Sequence, residues 1–159
     1  MEQKLLAIYL NDHLAGSVLG NELTRRVARE NRGTSLGDFL ERLAVEILED
    51  KQALEGVLRA TDVRPSPLKP RVAWVLEKVG RLKLNGRIRS YSPLSRLLEL
   101  EGMTMGIAAK RSLWQTLGAA GDPRLAQFDF DALEARAEAQ LEELEAHRLE
   151  AANLVLGGR

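Results

Sequence analysis

Few residues in this chain can do acid–base or metal chemistry near neutral pH. There are two histidines, His13 and His147, and no cysteine. The absence of cysteine removes thiolate nucleophiles, disulfides and zinc–thiolate sites. Carboxylates are plentiful, so spacing must single out the ones that matter. The core of a helical bundle is read by alternating steps of three and four. The first such series is Leu6, Tyr9, His13, Gly16, Gly20, Leu23 and Val27. The second is Leu36, Leu40, Leu43, Ile47, Asp50, Leu54 and Val57. The third is Leu94, Leu98, Glu101, Met105, Ala108 and Ser112, with Leu97, Ile107 and Trp114 widening its apolar face. The fourth is Phe130, Leu133, Ala137, Gln140, Leu144, His147, Ala151 and Leu154. Both histidines fall on these seams, together with Tyr9, Asp50, Glu101 and Gln140.

Two chemistries fit such a set. Imidazole and carboxylate converging at mid-bundle can hold a divalent metal or move a proton. Alternatively they satisfy one another, because a buried polar group without a partner costs about 1–3 kcal/mol. Folding the chain about residues 33–34 brings His13 near Leu54 and Asp50 near Ser17. Folding about residues 124–125 brings Glu101 level with His147. The expected pairs are therefore Glu101 with His147, and Asp50 with His13 or Tyr9. Pairs of this kind fix helix register. Glycine forms a second pattern. Gly16 and Gly20 stand mid-way along one predicted helix, Gly102 and Gly106 along another. Glycine inside a helix costs about 1 kcal/mol against alanine, so each pair needs a packing reason. Close backbone contact between the two bare strips is the expectation; a groove that a ligand fills is the other outcome.

The elements that must position these residues are helices. Ala, Leu, Glu and Arg dominate, and strand-type alternation is absent. The sequence predicts one all-α domain over residues 1–159. Its long helices span about 2–31, 35–60, 93–119 and 130–156, and a short helix spans about 70–83. Arg32-Gly33 ends the first, and Thr34 or Ser35 caps the second, with Asp38 in a capping-box position relative to Ser35. Ser92-Pro93 opens the third, and Asp129 or Asp131 the fourth. Residues 61–92 make a connection far longer than helix pairs need. It predicts a crossover that leaves helices two and three parallel.

Four long helices paired across such a crossover resemble the ferritin-like superfamily, over residues 2–156. The stretches YLNDHLAGSVLGNELTRR and SPLSRLLELEGMTMGIAAKRSLWQTL also resemble small bacterial proteins of that architecture. The resemblance implies a four-helix bundle and, in the superfamily's catalytic members, a dinuclear iron or manganese site. That site takes one Glu from each of two helices and a Glu-x-x-His from each of the other two. Helix two has no histidine; Glu46 is followed at i+3 by Glu49. His147 is preceded at i−3 by Leu144 and at i−4 by Glu143. Neither motif is intact. No cofactor is expected, and a non-catalytic binding or structural module is favoured. The alternative is a divergent metal-dependent oxidoreductase or iron-handling protein using Glu22, Asp50, Glu101 and His147.

Lys and Arg total 23 and Asp and Glu total 23, so the net charge is zero. That sum hides segregation: residues 62–96 carry nine Lys or Arg and two acids, while residues 126–150 carry eight acids and two bases. Neutrality argues against general nucleic-acid binding. The basic stretch, residues 64–96, is a candidate surface for an acidic protein partner. No apolar run reaches the ~18 residues of a membrane span. The first residues, MEQKLLAIYLND, meet charge too early for a signal peptide, so a cytoplasmic protein is the expectation; a homodimer through an apolar helix face is expected as well.

Overall fold

A computed structural model describes residues 2–67 and 91–157. Among them the chain is all-helical. It forms α1 (Gln3–Glu30), α2 (Ser35–Ala60), α3 (Pro93–Ala119) and α4 (Phe130–Leu156), with a 3-10 turn at Pro123–Leu125. These bounds match the sequence expectation within a residue. The caps explain why. Ser92 accepts the Ser95 N–H at 3.1 Å, and Asp129 accepts the Ala132 N–H at 2.9 Å. Thr34, rather than Ser35, caps α2 by accepting the Gly37 N–H at 3.1 Å, so Asp38 is not in a capping-box position. Gly33 turns the chain at φ +80°. Just beyond it, a Cβ at Gly37 would collide with the Asn31 carbonyl, which fixes the approach of α1 to α2.

Cross-helix pairs set the directions. Arg26 bonds Glu99 at 2.7 Å, and Gly102 faces Leu23, so α1 and α3 are antiparallel. Arg42 bonds Glu143 at 2.6 Å and Gln140 bonds Glu46 at 2.7 Å, so α2 and α4 are antiparallel. With α1 and α2 folded about a tight turn, α2 and α3 point the same way. The chain leaving α2 is pinned by Asn11, whose amide donates to the Arg64 carbonyl at 3.2 Å and accepts the Ser66 N–H at 2.7 Å. The chain entering α3 is pinned by Tyr91, whose hydroxyl accepts from Asn31 at 2.7 Å. Asn11 and Asn31 stand about 30 Å apart at 1.5 Å rise per residue. The expected short helix at 70–83, and most of the basic stretch 64–96, lie outside the described residues.

The apolar core is in two parts. One surrounds Val27, Leu40, Leu43, Leu100 and Leu144, toward the α1–α2 turn. The other surrounds Leu10, Leu54, Leu58, Trp114 and Phe130, toward the opposite end. Between them lies a mid-height layer of different composition. The expected seams need correction on three helices; on α4 it is only at the end, where Leu154 is exposed. On α1 the buried stripe runs through Leu6, Leu10, Leu14, Thr24 and Val27, leaving Tyr9 and His13 half-buried beside it. On α3 the buried face is Leu97, Leu100, Met103, Ile107, Trp114 and Leu117. Leu94, Leu98 and Met105 are exposed instead. This helix packs against both α1 and α4, so its buried face is centred between two partners, and a single stripe of apolar letters does not locate that centre. Among the described residues no helix is long and apolar enough to cross a membrane.

Candidate functional site

The mid-height layer begins at Asp50, one turn after Ile47 and one before Leu54 on the buried face of α2. It is 3% exposed. A carboxylate taken out of water needs close partners, and it has two from different helices. Lys110 on α3 donates to Oδ2, and Arg136 on α4 donates to Oδ1. Arg136 reaches on to Glu49 at 2.8 Å. Gln140 accepts from Lys110 at 2.5 Å through its carbonyl and donates to Glu46 at 2.7 Å through its amide. One network therefore ties α2, α3 and α4 in a single register. Burial pushes the Lys110 ammonium below its ordinary pKa of 10.5, while attraction to Asp50 and the hydrogen bond it donates to that carboxylate work the other way.

On the α1 side the same layer is open space. A cavity of about 290 Å³ lies between α1 and α3. Gly16, Gly20, Gly102 and Gly106 all line it, as do Asp50 and Lys110. Leu23, Ile47, Met103 and Ile107 bound it toward one core cluster, and Leu54, Leu113 and Trp114 toward the other. Added Cβ atoms at Gly16, Gly20 and Gly106 would meet nothing within 4 Å, and one at Gly102 would meet only Leu23 at 3.9 Å. The expected close contact of the glycine strips is therefore not formed; they frame a groove. The side chains above and below set the spacing of two long helices, and one bare turn is too short to draw the backbones together. Gly16, Gly106 and Ala109 are exposed, so the cavity opens to solvent along that edge. Trp114 is 1% exposed, and its indole N–H is buried without a hydrogen-bond partner, a state that costs about 1–3 kcal/mol.

The remaining candidates are dispersed. His13 lines the cavity and meets Tyr9 edge-on, with ring centroids 4.7 Å apart, instead of pairing with Asp50. Burial lowers the His13 pKa from its ordinary 6.5, against an opposing pull from Asp12. The expected Glu101–His147 pair is not formed. Glu101 lies 3.9 Å from Arg148, and His147 stacks on Phe39 at 5.1 Å. Arg148, next in sequence, offers the carboxylate a full charge, and Phe39 offers the imidazole an apolar face. Glu22 is exposed. Glu22, Asp50, Glu101 and His147 therefore do not converge, and both Asp50 oxygens already face cations. Among the described residues no three His, Cys, Asp or Glu side chains are grouped to hold a metal. The donor set does not fit an iron or manganese pair.

Lys110 and Arg136 are the functional residues that the seam reading missed. A signal existed. Leu100, Met103, Ile107, Lys110, Trp114 and Leu117 follow three-four steps, so a cation sits on the true apolar stripe of α3. Arg136 stands one turn before Gln140. Compared with known proteins, the chain matches no protein-family model, no curated protein and no solved structure.

Proposed function

We propose that this protein is a non-catalytic, ligand-binding helical bundle of ferritin-like architecture, in which the space between α1 and α3 holds one small apolar molecule. The architectural half is supported by the common direction of α2 and α3. The chain leaving α2 and the chain entering α3 are also anchored at Asn11 and Asn31, about 30 Å apart, a spacing that suits a crossover connection. The functional half is carried by one observation: a cavity of about 290 Å³ whose walls are kept bare by four glycines. Each of those glycines weakens its helix by about 1 kcal/mol, and no close packing compensates for it. Their shared effect is to clear volume at one height of the bundle. A cavity of about 150 Å³ suffices for benzene, so this one has room for about two rings.

Naphthalene is a suitable probe. Titration calorimetry is expected to give saturable binding of one molecule per chain, with a rise in melting temperature that follows ligand concentration. Absence of both up to the solubility of naphthalene would overturn the ligand-binding reading. Elemental analysis tests the exclusion of a dinuclear centre: two iron or manganese ions per chain at full occupancy would overturn it.

A further inference from the structure

On two opposing sides of the cavity, glycines leave a turn of bare backbone. In the antiparallel register set by Arg26 with Glu99 and Leu23 with Gly102, Gly20 comes level with Gly106 and Gly16 with Ala109. Facing surfaces without side chains form a slot, and a slot suits a flat molecule better than a branched or flexible one. The charges on the lining cancel: Asp12 and Asp50 are matched in number by Lys51 and Lys110. Lys51 is already bonded to Glu55 at 2.6 Å, and Lys110 to Asp50. An ionic ligand would lose its hydration without gaining a counter-charge that is not already engaged. One lining residue does have an N–H to spare: the Lys110 ammonium has three donors, and Asp50 and Gln140 take two. The unpartnered Trp114 indole N–H is closed off from the cavity as well as from solvent.

We infer that the cavity selects flat, uncharged two-ring molecules carrying an oxygen acceptor, the class that coumarin represents; this rests on the ligand-binding reading above. Flatness answers to the glycine walls, neutrality to the balanced lining, and the acceptor to the spare Lys110 N–H.

Four probes of similar size separate these features: coumarin, naphthalene, 2-naphthoate and 2-nonanone, each titrated calorimetrically into the full-length protein. Coumarin is expected to bind about tenfold more tightly than naphthalene, the gain a charge-assisted or buried hydrogen bond gives. 2-Naphthoate and 2-nonanone are expected to bind more weakly than coumarin. Lys110→Met deletes that donor while keeping bulk, and is expected to bring coumarin down to the affinity of naphthalene without changing naphthalene itself. Equal affinity of coumarin and naphthalene for the unmutated protein would overturn the inference, and that comparison needs no variant to fold. So would a coumarin preference that survives Lys110→Met. Binding of 2-naphthoate or 2-nonanone as tight as coumarin's would overturn neutrality or flatness. Those results would leave naphthalene binding, and with it the reading of the bundle as a ligand binder, intact. Failure of every probe would overturn both.

Discussion

The two sides of the mid-height layer solve the same problem in opposite ways. Toward α2 and α4, the gap between the core clusters is filled with charge: Asp50 is shared by Lys110 and Arg136, and Gln140 links Lys110 to Glu46. Toward α1 and α3, side chains are withdrawn and four glycines leave open space. The filled side gives register, because each buried group has partners only in one alignment. The open side gives capacity, at the expense of helix stability. Asp50 and Lys110 belong to both, so the wall of the cavity is held in place by the network behind it. A region that stabilises and a region that admits can therefore be told apart by the sign of a mutation.

The largest effect is expected on the filled side. Asp50→Ala leaves the mostly buried Lys110 and the half-buried Arg136 without their shared carboxylate and should cost about 3 kcal/mol, the low end of the range for breaking a buried ion pair. Urea denaturation would measure it. A loss under about 1 kcal/mol, the range of an exposed pair, would mean that the network is in effect solvated.

On the open side the sign should reverse. Gly20→Ala and Gly106→Ala meet no atom within 4 Å. Each should raise stability by about 1 kcal/mol through helix propensity, and each should weaken naphthalene binding. A glycine outside the cavity gives the contrast: Gly37→Ala should destabilise, because its Cβ would collide with the Asn31 carbonyl. Destabilisation at Gly20 and Gly106 would show that the strips are packed after all.

The smallest effect distinguishes the rim. Burial lowers the His13 pKa below 6.5, so between that lowered value and 6.5 the unfolded chain binds more protons than the folded one. The His13 contribution should thus be flat above pH 6.5, and stability should fall as pH drops through that window. Denaturation at pH 7.5 and pH 5 would read it, and His13→Gln should remove that part of the slope. Glu145 and Asp122 are lowered from the ordinary carboxylate range by hydrogen bonds from Arg148 and Arg124. An unchanged slope in the variant would place His13 in water.

How much of this was legible in the sequence follows from the range of the interactions. Helix ends are local, set by Thr34, Ser92, Asp129 and Gly33, and they were read nearly to the residue. The burial of Asp50 and Gln140 was also legible, because α2 and α4 have clear stripes. Their partners were not. Lys110 lies on a stripe of α3 that competes with an equally apolar one through Leu94, Leu98 and Met105. Only contact with both α1 and α4 decides between them. The Glu101–His147 pairing failed at the same point: depth along a helix brings Glu101 level with His147, but rotation about the axis gives Glu101 to Arg148. The glycines were recognised as meaningful, yet whether two bare strips touch depends on the bulk of neighbours one turn away, which spacing alone does not reveal.

The most direct test of the central claim, that the glycine strips frame a ligand cavity, is an amide NMR titration of labelled protein with naphthalene. Shift changes should concentrate on Gly16, Gly20, Gly102 and Gly106 and stop at one molecule per chain. Changes spread over the exposed residues Leu94, Leu98 and Met105, or none at any residue, would contradict it.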